Sequence, residues 1–134
     1  MVNEAPLAGA GFDRSLRLTR PKDFSNVFAD ARRQAARGVT VLFRENASGK
    51  PRIGFAIAKR QVRRAHERNR IRRIGRESFR HRVAGLPSVD MIVLVRADVL
   101  KLDGAELRRV FDRILDRVRE QCTQTASRNP DQPV

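Results

Sequence analysis

The sequence predicts a small α+β domain, and three observations carry that reading. Val39 to Arg44 alternates, with Val39, Val41 and Phe43 on one face and Thr40, Leu42 and Arg44 on the other, which is the period of a half-buried strand. Two stretches, Arg63 to about Val83 and Leu107 to Val118, instead carry apolar residues at helical spacing. Between them, Met91 to Val95 is an unbroken apolar run, the pattern of a strand covered on both faces. A chain of 134 residues supports one domain with one core, and a hydrophobic content of 40% is enough to pack it.

Residues 1–15 are rich in Gly and Ala without periodicity and read as a flexible N-terminal arm. Thr19 followed by Pro21 marks the start of a first helix. Its apolar face is Phe24, Val27, Phe28 and Ala31, and it should stop near Ala31 to Arg33. The strand Val39–Arg44 comes next, then a turn over Asn46 to Pro51. Ile53 to Ala58 is a second strand, expected to form a hairpin with the first. Its faces are unequal: Ile53, Phe55 and Ile57 oppose Gly54, Ala56 and Ala58, so a helix or a ligand approaches closely on the small side.

In the long helix, Ile71, Ile74, Gly75, Ser78 and Phe79 fall on one side, and Asn69, Arg72, Arg73, Arg76 and Arg80 on another. Gly75 costs about 1 kcal/mol relative to alanine in a helix interior, and on the apolar side it allows close packing on the sheet. Gly85, Pro87 and Ser88 end the helix, and Val89 to Arg96 is a third, central strand. Asp103 with Glu106 forms a capping box for a last helix whose stripe is Leu107, Val110, Phe111, Ile114, Leu115 and Val118. The expected organisation is an arm (1–15), a domain (16–120) and a polar tail (121–134). The order α-β-β-α-β-α describes a single-domain sandwich on a mixed central sheet.

Lys and Arg number 29 against 15 Asp and Glu, a net charge of +14. The excess is concentrated. Lys59 to Arg82 holds eleven basic residues and two acids, Glu67 and Glu77, a net of +9, whereas Asp98 to Glu120 holds six of each sign. Like charges packed into one segment repel, and a bound polyanion would offset that repulsion. Ten of the eleven are Arg, whose planar guanidinium contacts phosphate bidentately and stacks on bases. Nucleic acid is therefore the leading class of partner, with a membrane surface second.

No protein-borne active site is evident. His66 and His81 are fifteen residues apart, too far to share a metal as neighbours on one helix. There is no Gly-rich phosphate loop and no elbow-type serine. On the last helix, Arg108 with Asp112 and Arg113 with Asp116 stand at ion-pair spacing and read as a salt-laced surface. The single Cys122 excludes an intramolecular disulfide, suits a reducing cytosol, and reads as an incidental helix-end thiol. Phe24 and Phe28, one turn apart, are either core or a stacking platform for single-stranded RNA.

The stretch Arg52-Ile53-Gly54-Phe55-Ala56-Ile57-Ala58-Lys59-Arg60, continuing through Val62-Arg63-Arg64-Ala65-His66-Glu67-Arg68-Asn69-Arg70 to Arg76-Glu77-Ser78-Phe79-Arg80, closely resembles the protein subunit of bacterial ribonuclease P. The Arg-Asn-Arg element followed by a basic pair is the signature. Arg17 to Phe28 and the strand ending at Arg96 also match, so the likeness covers about residues 14 to 120. Arg72 stands where the family often has Lys, which keeps the charge.

The resemblance implies a ribonucleoprotein endonuclease that removes the 5′ leader of precursor tRNA. Its RNA is the catalyst, working through magnesium ions bound mainly by RNA. The protein is an accessory subunit with no catalytic residue and no metal of its own. Arg63, Arg64, Arg68, Asn69, Arg70, Arg72, Arg73 and Arg76 are then expected to face the catalytic RNA. Phe24, Phe28, Lys59 and Arg60 are expected at the 5′ leader, in the cleft between the first helix and the sheet. The expected partners are the catalytic RNA and the precursor tRNA leader, in the cytoplasm, with neither membrane nor DNA. The family also implies a left-handed β-α-β crossover around the long helix, opposite to the general rule. A structural ribosomal protein, or another RNA-binding protein without catalytic RNA, would account for the charge but not for the motif.

Overall fold

The computed structural model describes residues 14–127; the expected arm at 1–15 lies almost wholly outside them, as does the second half of the expected tail at 121–134. Pro21 opens α1 (Pro21–Ala29), with Arg20 as the extended residue before it. The helix ends at Ala29 rather than near Ala31 to Arg33, because the chain turns at Asp30 into a strand that the apolar pattern does not announce. This strand, β1 (Arg32–Ala36), pairs antiparallel with β2 (Val39–Glu45). A two-residue loop joins them, Arg37 with φ 48° and Gly38 with φ 89°. Positive φ at both positions is the hairpin geometry that matches strand twist. Arg32 and Gln34 face α3 (Gly104–Ser127) and pack there as polar side chains. The Arg32 guanidinium lies 5.0 Å from the Phe43 ring centre, and Gln34 Nε2 donates to Gln121 Oε1 at 2.8 Å.

The second expected strand is real but shorter and differently paired. β3 (Arg52–Phe55) runs parallel to β4 (Val89–Val95) and does not form a hairpin with β2. The sheet order is β1-β2-β4-β3. The strand with two apolar faces takes an inner position, as its composition predicts, so the loop 46–51 crosses the end of β4 instead of turning back. A polar network holds that crossing. Asn46 Nδ2 donates to Asp90 Oδ1 at 2.6 Å, and Arg52 grips both Asp90 oxygens at 2.8 Å. Arg52 and Asp90 are also register partners, so this pair fixes the alignment of the parallel strands. Asp90 is 7% exposed; its bond and charge hold the Arg52 guanidinium above its ordinary range, against the opposing effect of burial.

α2 (Ala65–Arg82) connects β3 to β4. The element order is therefore α-β-β-β-α-β-α, an α+β fold with one strand more than the apolar pattern implies. One face of the sheet, with Val41, Phe43, Met91 and Val93, is covered by α2 and α3. All six residues of the expected α3 stripe are buried there. The other face carries Leu42, Ile92 and Leu94 under α1 and Leu18. Gly75 lets α2 lie on this structure closely: a methyl group there would stand 2.8 Å from Phe55 and 3.0 Å from Phe111. The Asp103–Glu106 capping box forms as expected, with bonds of 3.0 and 2.7 Å, and α3 continues past Cys122 to Ser127. No described helix is long and apolar enough to cross a membrane.

Candidate nucleic-acid interface

The arginines of α2 divide by what they touch. Arg68 turns back onto the chain before the helix, where it donates to the carbonyls of Val62 at 2.9 Å and Arg63 at 2.8 Å. Arg70 bridges Glu67 at 3.2 Å and the Leu102 carbonyl at 3.2 Å. Arg80 pairs with Glu77, whose carboxyl that bond holds below its usual range. These three are tied into the fold. Arg63, Arg64 and Arg73 are exposed, and their guanidinium groups have no partner among the described residues. Arg72 donates to Asn69 Oδ1 at 3.1 Å, presenting the two side chains together.

Arg72 and Arg76 border a recess of about 290 Å³ that also meets Arg17, Phe24, Phe55 and the Gly54 backbone. It lies at the seam between α2, the edge strand β3 and the start of α1. Arg17 reaches it because residues 17–18 run alongside β3, with Leu18 N donating to Ile53 O at 2.9 Å. The small face of β3 makes this possible: a methyl group on Gly54 would stand 2.7 Å from both the Leu18 carbonyl and the Phe24 ring. Arg76 lies over Phe55, 5.6 Å from the ring centre. Burial lowers its pKa, and the positive charges of Arg17 and Arg72 lower it further. Three cations thus converge beside two aromatic rings. Arg17 and Phe55 were not picked out by sequence reasoning; the Gly54-Ala56-Ala58 small face was the signal that something packs against this edge.

The expected leader residues are not brought together. Phe24 is partly buried and lines the recess, whereas Phe28, one turn further along α1, is 51% exposed and does not line it. Arg60 instead lines a second, wider recess of about 810 Å³ with Arg63, Arg64 and Leu100, and Lys59 is exposed at the start of that loop. Gln61 fixes the loop by accepting from Ala97 N at 2.9 Å. Among the described residues, no three His, Cys, Asp or Glu side chains group to hold a metal ion.

A sequence model of the family described as Ribonuclease P matches residues 12–119. The chain belongs to the ribonuclease P protein family. The ribonuclease P protein component of Proteus mirabilis (strain HI4320) is 48% identical over 103 residues, 77% of this chain and 87% of the relative. That of Photorhabdus laumondii is also 48% identical, with the same coverage. The RNase P protein of Thermotoga maritima has a similar structure, with a TM-score of 0.66 at 26% identity over 75% of this chain and 96% of that one. The Staphylococcus aureus RNase P protein shares the fold with a TM-score of 0.71 at 22% identity, over 76% and 94%. The family read from the Arg-Asn-Arg segment is thus the family shown. The ribonuclease P match contains every residue lining both recesses.

Proposed function

We propose that this chain is the protein subunit of a ribonuclease P holoenzyme that removes the 5′ leader from precursor tRNA. In this reading the large RNA is the catalyst, and the protein binds both that RNA and the leader. The observation that carries it is the convergence of Arg17, Arg72 and Arg76 beside Phe24 and Phe55. Mutually repelling guanidinium groups in a partly buried recess are relieved by a phosphate chain. Aromatic rings next to them hold single-stranded bases without reading their identity, at about 1–3 kcal/mol per base. That combination suits a leader of variable sequence. Phe28 extends the track along α1.

The catalytic RNA is assigned to the outward side of α2 and the loop before it: Arg63, Arg64, Asn69, Arg72 and Arg73. Lys59 and Arg60, beside Arg63 and Arg64, belong with this surface rather than with the leader. Arg68 and Arg70 act by holding the loop and the helix in place. Magnesium ions, bound mainly by RNA, would supply the activated water and stabilise charge on the scissile phosphate. The particle would work in the cytoplasm.

The test is reconstitution with the cognate ribonuclease P RNA at low magnesium, measuring cleavage of precursor tRNA with a long leader and with a single-nucleotide leader. The protein should stimulate cleavage, more so for the long leader. Arg76→Gln should remove that difference. An absence of stimulation refutes the reading.

A further inference from the structure

The charges of the last helix cancel in number but not in space. Asp98 to Glu120 holds six acids and six basic residues. Asp103 and Glu106 are used in the capping box at the helix start. Asp112 accepts from Ser78 at 2.5 Å and from Arg108 at 2.9 Å, and faces Arg82 at 3.0 Å. Asp116, expected to pair with Arg113, is instead bound to Arg82 of α2 at 2.8 Å. Four of the six acids are therefore occupied at the helix start or at its seam with α2.

Arg109, Arg113 and Arg117 are left exposed, with no hydrogen-bond or ion-pair partner among the described residues. They recur every four residues, about 6 Å apart along the axis, and drift only slowly around it. Glu120 is the one exposed acid near this row. Like charges at this spacing repel one another and weaken a helix. The row is wholly arginine, the side chain suited to bidentate phosphate contact.

We infer that the outer face of α3 is a second docking surface for the phosphate backbone of the large RNA. The inference rests on the function proposed above. Its geometric basis is that α2 and α3 pack side by side on one face of the sheet, so their outward faces point the same way. The Arg82–Asp112–Asp116 cluster locks the two helices together, so both rows move as one body. The leader recess lies at the seam with α1 and β3, which makes the large RNA the partner that this row meets.

The test is the salt dependence of binding to the cognate ribonuclease P RNA by the full-length protein. Arg109→Gln/Arg113→Gln/Arg117→Gln should reduce the slope of log K against log salt by about two units. The melting temperature should hold or rise, since a repulsive row is removed. The triple Lys variant should keep the slope. If the slope is unchanged in the Gln variant but falls in Arg63→Gln/Arg73→Gln, this inference is overturned and the proposed function stands. If neither variant changes it, both fail. Loss of binding confined to precursor tRNA alone, or to vesicles of anionic lipid, would also overturn it in favour of that partner.

Discussion

Replacing Gly75 with alanine is expected to destabilise the protein, although the same change in an ordinary helix interior stabilises by about 1 kcal/mol. The added methyl group would stand 2.8 and 2.9 Å from two atoms of the Phe55 ring and 3.0 Å from the Phe111 ring. Carbon atoms prefer about 3.5 Å or more, so α2 must lift by roughly 0.7 Å or the rings must turn. Phe111 is fully buried and Phe55 is backed by Gly75 itself and by Arg76. Overpacking of this kind costs about 1–3 kcal/mol. Set against the propensity gain, the net loss is about 1 kcal/mol, a fall in melting temperature of roughly 3–4 °C for a domain of this size. The assay is urea unfolding alongside Gly104→Ala, where a methyl group meets nothing within 4 Å. The two variants should move in opposite directions, or Gly104→Ala should not move at all. Because a lifted α2 carries Arg76 away from Arg17, Gly75→Ala should also weaken leader binding. A Gly75→Ala protein more stable than the parent would refute the close-packing argument.

Three further outcomes follow from the same contacts. Phe28→Ala should leave the melting temperature unchanged and weaken long-leader binding, whereas Phe24→Ala should lower both, since Phe24 packs against Gly54 and the core under α1; equal melting losses would contradict the separation. For Asp112, burial alone would raise the pKa, but the bonds from Ser78 and Arg108 and the charge of Arg82 outweigh it and hold the folded carboxyl below its ordinary range. Its stabilising contribution is therefore present above about pH 4, the unfolded carboxyl range, and is lost as pH falls through the lower folded pKa; Asp112→Asn should flatten the acid limb of a stability–pH profile. Burial raises the pKa of the Cys122 thiol, and the nearby Arg32 opposes this only in part, so alkylation of the native protein should be slow and should accelerate sharply in denaturant.

The readable parts of this fold were those whose side chains obey a period. Val39, Val41 and Phe43 declare one buried face, Met91 to Val95 declare two, and Asp103 with Glu106 declares a helix start through purely local bonds. β1 escaped because two of its three inward residues are Arg32 and Gln34, which are half-buried through long polar side chains against α3, leaving only the small Ala36 as an apolar signal. Its turn is Arg37-Gly38, without the Asn or Asp that usually marks such a hairpin. The pairing of β3 escaped for a different reason. Nothing local distinguishes a strand that turns back on β2 from one that crosses to β4; the choice is held by Asp90, 38 residues from Arg52 and 44 from Asn46. The same non-locality hid Arg17, which joins Arg72 and Arg76 only because Gly54 lets residues 17–18 lie along β3.

Charge shows most clearly how a one-dimensional count differs from a surface. Between Lys59 and Arg82 the count is +9, yet Arg68 and Arg70 are bound to carbonyls and Arg82 to two carboxylates of α3 outside that segment. Less of that excess faces outward than the number implies. Between Asp98 and Glu120 the count is zero, yet the acids are used at the helix start and at the seam with α2, and arginines remain outside. Each helix thus moves toward the other: the strongly basic one uses part of its charge to hold the fold, and the neutral one exposes charge the count conceals. Arg82 links the two changes, since by binding Asp112 and Asp116 it is withdrawn from α2 and leaves Arg113 and its neighbours on α3 unneutralised. Substituting Arg82 should therefore do more than loosen the helix pair. It should free Asp116 to pair with Arg113 and reduce the outward charge of α3, which separates a charge-relay effect from simple loss of stability when Arg82→Gln is compared with Ser78→Ala in the salt-dependence assay.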